Sequence, residues 1–149
     1  MLNLGDLGAT FHIVKLFLHD NSNNTNPEFS LRYKDQLFSI TLEKISEPMP
    51  IDADLSESRD WSLTRSQGIK LFTKYLWKNA TVEDKKNTKQ FMEKFITNRF
   101  EKFYIEEEGG FSLYPESKAA TLDDTGTALD LLDCTGALSR EKQKAFWGI

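Results

Sequence analysis

The clearest pattern along the chain is an apolar repeat with spacings of three and four residues between positions 91 and 104. Its members are Phe91, Met92, Phe95, Ile96, Phe100, Phe103 and Tyr104. This spacing places the large side chains on one face of an α-helix. Upstream, Thr81 followed by Asp84 resembles a capping box, in which each side chain bonds to the other residue's backbone N–H. The pattern therefore predicts a long amphipathic helix that begins at Thr81.

Four further helices are predicted from shorter apolar repeats that begin after a capping residue. They cover residues 3–18, residues 60–79 with Ser62 as an alternative start, residues 121–134, and a short stretch from Ser139 onward. Gly136 marks the end of the helix predicted over residues 121–134, because glycine is common just beyond the end of a helix. The sequence therefore predicts a mainly α fold.

Residues 29–42 follow a different pattern, because apolar and polar residues alternate there with a period of two. The apolar members are Phe29, Leu31, Tyr33, Phe38, Ile40 and Leu42, with Lys34-Asp35-Gln36 between the two runs. Two alternating runs joined by a short polar turn predict a small β-hairpin. The next stretch, residues 46–58, contains two prolines and several acids and predicts an irregular connection.

Composition narrows the classes of function. The 149 residues are enough for a single domain, and eleven Phe, four Tyr and three Trp predict an aromatic core. A net charge of −4, with both signs interspersed, argues against a nucleic-acid-binding surface. The single cysteine, Cys134, excludes an internal disulfide framework and favours a reducing compartment, so we expect a cytoplasmic protein. No stretch is long enough to cross a membrane.

The segment from Gly109 to Gly136 reads GGFSLYPESKAATLDDTGTALDLLDCTG and predicts a glycine-rich turn that leads into a buried helix. It resembles the repeat of terpene cyclases and protein prenyltransferases, in which a GGF-type turn and a proline-containing loop precede an aspartate-headed inner helix. The resemblance implies antiparallel helical hairpins, as in a partial α/α toroid whose inner helices surround a cavity. It also implies that the chain supplies about half of such a toroid, as a fragment or with a second copy.

Two acids in that segment, Asp123 and Asp124, are followed by Thr125, which resembles the acidic signature of squalene-hopene and class II diterpene cyclases. In those enzymes an aspartic acid protonates an alkene or epoxide, because burial and a neighbouring carboxylate keep it protonated. The resemblance implies Asp123 as the proton donor and Asp124 as its partner, although Thr121 replaces the first aspartate of the signature. The alternative is structural, since both carboxylates lie in the first turn of a helix, where they stabilise its dipole.

A zinc site like that of the protein prenyltransferase β subunit would draw on Asp, Cys and a later His. Thr125 and Gly126 stand where the cysteine would be needed, and no histidine follows. We therefore predict no metal and no other cofactor.

The resemblance implies an apolar pocket that Asp123 faces, lined by aromatic side chains such as Phe111, Tyr114 and Trp77. The predicted function is then that of a cyclase-like or prenyltransferase-like domain that binds an isoprenoid or another apolar ligand, with its enzymatic activity left open. The alternative is a non-catalytic helical-repeat module for protein–protein interaction. It would bind a partner, or a second copy of the chain, through the apolar segment 146–149.

Overall fold

A computed structural model of the chain describes residues 7–19, 33–115 and 117–148. Its elements in chain order are α1 (Leu7–His19), α2 (Lys34–Ser46), α3 (Leu55–Leu71), a π-helical turn (Phe72–Leu76), a 3-10 turn (Trp77–Asn79), α4 (Val82–Phe103), β1 (Tyr104–Ile105), β2 (Gly110–Phe111), α5 (Leu122–Cys134) and α6 (Arg140–Trp147). The predicted mainly α fold is confirmed. The cap of the first predicted helix, Asn3, lies outside the described residues.

Capping boxes determine where two of the helices begin. α4 begins as predicted, because Thr81 Oγ1 accepts a hydrogen bond from the backbone N–H of Asp84 at 3.1 Å and the Asp84 carboxylate accepts one from the N–H of Thr81. α3 starts earlier than the predicted Asp60 or Ser62. A second capping box, between Asp54 and Glu57, begins this helix at Leu55, within the stretch predicted to be irregular.

The hairpin predicted over residues 29–42 is wrong where the structure describes this stretch, because residues 34–46 form α2. Its buried side chains are Phe38, Thr41 and Ile45, which follow the helical spacing of three and four rather than the strand spacing of two. Residues 29–32 of the predicted hairpin lie outside the described residues. The described ranges contain one antiparallel strand pair elsewhere, between β1 and β2, with Tyr104 opposite Phe111.

The core forms around α3, which contacts α1, α2 and α5. Its completely buried apolar side chains are Ile45, Ile69, Leu71, Phe72 and Met92. α2 approaches α3 closely at Gly68, where an added Cβ would lie 2.3 Å from Cγ2 of Ile45. A smaller cluster of Phe103, Phe111 and Ala128 lies under the strand pair.

Two residues of the apolar segment 146–149, which was predicted to be exposed, pack within the chain, namely Phe146 and Trp147. Phe146 is buried and stacks on Trp77, with ring centroids 4.1 Å apart. The indole N–H of Trp147 donates to the backbone carbonyl of Thr135 at 2.8 Å. Ile149 lies outside the described residues. The expectation of an exposed Phe146 is therefore wrong. Self-association through this segment stays a prediction, but the side chain of Phe146 no longer supports it.

Replacing Gly68 by alanine tests the contact between α2 and α3. The added methyl group overlaps Ile45, so we expect the free energy of unfolding to fall by about 1–3 kcal/mol in urea titrations. The matched control is Gly126→Ala in α5, where an added Cβ meets nothing within 4 Å. That change should leave stability unchanged or raise it by up to about 1 kcal/mol. Equal stability of the two variants would contradict the close packing at Gly68.

Candidate functional site

The glycine-rich turn joins α4 to α5. Gly109 has a left-handed backbone with φ of 62°, and a Cβ added at Gly110 would lie 2.8 Å from both Ala120 Cβ and Thr125 Oγ1. Both glycines are therefore required by the backbone and its close contacts. The N–H of Phe111 donates to Thr125 Oγ1 at 2.9 Å.

The two acids predicted to be catalytic lie at the start of α5. Asp123 is exposed, whereas the role of a catalytic acid requires a buried carboxyl. Asp124 is half-buried, and its carboxylate accepts a hydrogen bond from the hydroxyl of Thr121. Thr121 Oγ1 in turn accepts from the N–H of Asp124 at 3.1 Å, which is the usual arrangement of an N-cap. The hydrogen bonds of Asp124 are thus those of a helix start.

The three aromatic residues predicted to bind ligand lie in separate surroundings. Phe111 is buried in the smaller cluster, and Tyr114 is half-buried in the loop that follows, with its carbonyl bonded to the Ser112 hydroxyl. Trp77 packs with the main core and stacks on Phe146. A cavity that Phe111 lines, together with Arg99, has a volume of only about 10 Å³, enough for one water molecule.

A larger opening lies between α3, α4 and the segment that follows α2, and we call it the α3–α4 groove. Its volume is about 500 Å³. Half of the apolar residues that line it are aromatic. The aromatic ones are Trp61, Phe91, Phe95 and Phe103, and the others are Ile45, Pro48, Met49 and Pro115. The rings form a continuous surface, because Trp61 and Phe91 each contact Phe95, with centroids 6.1 and 5.9 Å apart.

One charged side chain on this wall is almost completely buried. Arg65 is 2% exposed, and its guanidinium lies over the Trp61 ring, 3.7 Å from the centroid. Nη1 donates to the backbone carbonyl of Trp61 at 2.9 Å, but Nη2 has no hydrogen-bond partner among the described residues. Burial lowers the pKa of Arg65 to about 10, against an opposing effect of Glu47, so the guanidinium remains charged at neutral pH.

Other polar residues surround the groove. Lys94, Asn98 and Lys102 come from α4, and Glu47 comes from the segment after α2. The Glu47 carboxylate forms an ion pair with Lys44, with Nζ and Oε2 2.8 Å apart. Among the described residues, the groove therefore contains three cations and a single carboxylate, and that carboxylate already has a cationic partner.

The sequence contains a signal for this wall in the spacing of its polar and aromatic residues. Trp61 and Arg65 are four residues apart, and so are Lys94, Asn98 and Lys102 in succession. Residues four apart lie on the same face of a helix, so each set forms one stripe. What the spacing does not show is that the two stripes face each other.

No family model, curated protein or solved structure matches this chain. Within the described ranges, no helix combines the length and the apolar composition that a membrane span requires. In the same residues, His, Cys, Asp and Glu do not come together in a group of three or more that could hold a metal ion.

Replacing Thr125 by valine tests whether this threonine supports the turn. Valine keeps the shape but leaves the buried N–H of Phe111 without its acceptor, so the free energy of unfolding should fall by about 1–3 kcal/mol. Urea titration measures this loss. The control is Thr97→Val at an exposed position on α4, for which we expect a change within about 0.5 kcal/mol. A Thr125→Val variant as stable as the control would show that the bond to Phe111 contributes nothing.

Proposed function

We propose that this helical domain binds an apolar ligand, an isoprenoid or a molecule of similar hydrophobicity, in the α3–α4 groove. The observation that carries the proposal is the groove itself, an opening of about 500 Å³ whose wall includes the aromatic side chains of Trp61, Phe91, Phe95 and Phe103. Its volume lies in the usual range for small-molecule sites, which are largely apolar with a few well-placed polar groups.

The aromatic wall explains why a ligand would enter. Trp61 and Phe91 are half-buried and keep part of their rings in contact with water. Covering apolar surface contributes roughly 25 cal/mol for each Å² removed from water. Met49 adds an unbranched, polarisable side chain at the edge of the groove, which suits ligands of irregular shape. An apolar ligand would therefore gain most of its binding free energy here.

The isoprenoid class is supported by the sequence resemblance of Gly109–Gly136 to cyclases and prenyltransferases. The proposed ligand site nevertheless differs from the one that the resemblance implied, because it lies along α3 and α4 rather than at Asp123. The proposal is one of binding. We assign no proton-transfer step to Asp123 or Asp124, since the first is exposed and the second is bonded at the helix start.

Farnesol, an uncharged isoprenoid alcohol, is the probe that tests this proposal. We expect isothermal titration calorimetry, below the concentration at which farnesol aggregates, to show saturable binding with one site per chain. Phe91→Ala removes a half-buried ring from the groove and should weaken binding about tenfold, because a buried phenyl group contributes roughly 1.5–3 kcal/mol.

The matched control is Phe100→Ala. Phe100 is also a partly exposed phenylalanine of α4, but it lines the small cavity beside Phe111 instead of the groove. Its replacement should leave the affinity for farnesol unchanged. Absence of binding to the unsubstituted protein would refute the proposed function, and equal losses in the two variants would place the ligand elsewhere.

A further inference from the structure

The groove contains a buried cation whose hydrogen bonds are incomplete. Nη2 of Arg65 lacks a partner within the described part of the chain, although the residue is only 2% exposed. Burying a charge without a hydrogen-bonded counter-charge is unfavourable, so such groups are normally paired. Stacking on Trp61 offsets part of this cost but leaves the in-plane N–H groups of Nη2 unused. These N–H groups are donors that an anion can accept from.

Among the described residues, the carboxylate that lines the groove is already engaged. Glu47 is near enough to affect the pKa of Arg65, but its carboxylate lies 2.8 Å from Lys44 Nζ. Lys94 and Lys102 add two further positive charges along the α4 side of the groove. Within the part of the chain that the structure describes, the groove thus carries three cations against one carboxylate, whereas the net charge of the whole chain is −4. Local charge therefore favours an anionic group in the groove.

A second buried arginine shows what distinguishes Arg65. Arg99 also lies between α3 and α4, where its Nη1 donates to the Ser62 hydroxyl at 2.6 Å. Its Nε likewise lacks a partner among the described residues, but the cavity that Arg99 lines holds only about 10 Å³. A ligand has no room there. Arg65, in contrast, lines an opening of about 500 Å³.

We propose that the ligand of the α3–α4 groove is an amphipathic carboxylate, whose head group binds Arg65 while its apolar tail covers Trp61 and Phe91. This inference rests on the proposed function, since it takes the groove as the ligand site and names the chemistry of its occupant. Lys94 and Lys102 lie along the groove as additional charges that attract the head group.

A singly charged head group fits this site better than a head group with two or more charges. Nη1 of Arg65 is already bonded to the Trp61 carbonyl, so one terminal nitrogen is available rather than the full fork. Glu47 also borders the groove, and its negative charge opposes each additional charge on the ligand. A carboxylate supplies one charge and two acceptor oxygens, which matches the available donors.

The decisive comparison uses the unsubstituted protein and two probes with the same tail. Farnesoic acid carries a carboxylate, which is ionised at neutral pH, where farnesol carries a hydroxyl group. We expect calorimetry to show that farnesoic acid binds about tenfold or more tightly, because a hydrogen bond to a charged partner is the stronger kind. This comparison does not depend on whether any variant folds.

Substitution of Arg65 then assigns the preference to this residue. In Arg65→Met, the ratio of the two affinities should fall to about one while farnesol still binds, since methionine keeps an apolar side chain of similar length. Arg65→Lys should retain part of the preference, because it keeps the charge. The control is Lys86→Met, which removes an exposed lysine of α4 outside the groove and should leave the ratio unchanged.

The outcomes separate the two proposals. If both probes bind with equal affinity, the carboxylate assignment is overturned and the groove remains an apolar ligand site. If neither binds, the proposed function fails and this inference fails with it. A preference for farnesoic acid that survives in a folded Arg65→Met protein would show that another cation holds the head group.

Discussion

The arrangement of the C-terminal half depends on a pair of hydrogen bonds, the first from the backbone N–H of Phe111 to the hydroxyl of Thr125 at 2.9 Å. It joins strand β2 to the first turn of α5, and a second bond from the N–H of Thr121 to the carbonyl of Phe111 holds the same joint. Because β1 continues directly from α4, the contact between β2 and α5 also determines the position of α5 relative to α4. Gly110 must be glycine to allow the approach of Thr125. Several residues that carry the sequence resemblance are thus required by the turn. Their presence is therefore better evidence for the fold than for a catalytic activity.

Much of the fold could be predicted because its signals are local. The caps at Thr81, Thr121 and Ser139 begin α4, α5 and α6, and each requires only a side chain and an N–H three residues away. The hairpin predicted over residues 29–42 is wrong in its described part because Phe38, Ile40 and Leu42 alternate, while Phe38, Thr41 and Ile45 also fit a helical spacing. Both periods coexist in this short stretch, and packing on α3 decides in favour of the helix.

The proposed ligand site could not be predicted in the same way, because its wall is not local in sequence. Met49, Trp61 and Phe91 come from three separate segments and meet only when α3 packs beside α4. Asp123 and Asp124 were predicted to be catalytic because adjacent acids resemble a catalytic signature. A capped helix, however, also favours acids in its first turn. Arg65 gave little signal, since a single arginine among polar neighbours is ordinary in sequence. Burial is what makes it unusual, and burial depends on the whole fold.

The core between α3 and α4 and the wall of the groove are formed by the same side chains. Phe95 is buried and contacts both Trp61 and Phe91, so the packing that stabilises the domain also shapes its opening. If stability alone governed this face, an apolar residue of similar volume would replace Arg65, because an incompletely paired guanidinium is costly to bury. Departures from the rules of packing are concentrated at functional sites. By that criterion Arg65, rather than the exposed Asp123, marks the part of the molecule where binding should occur.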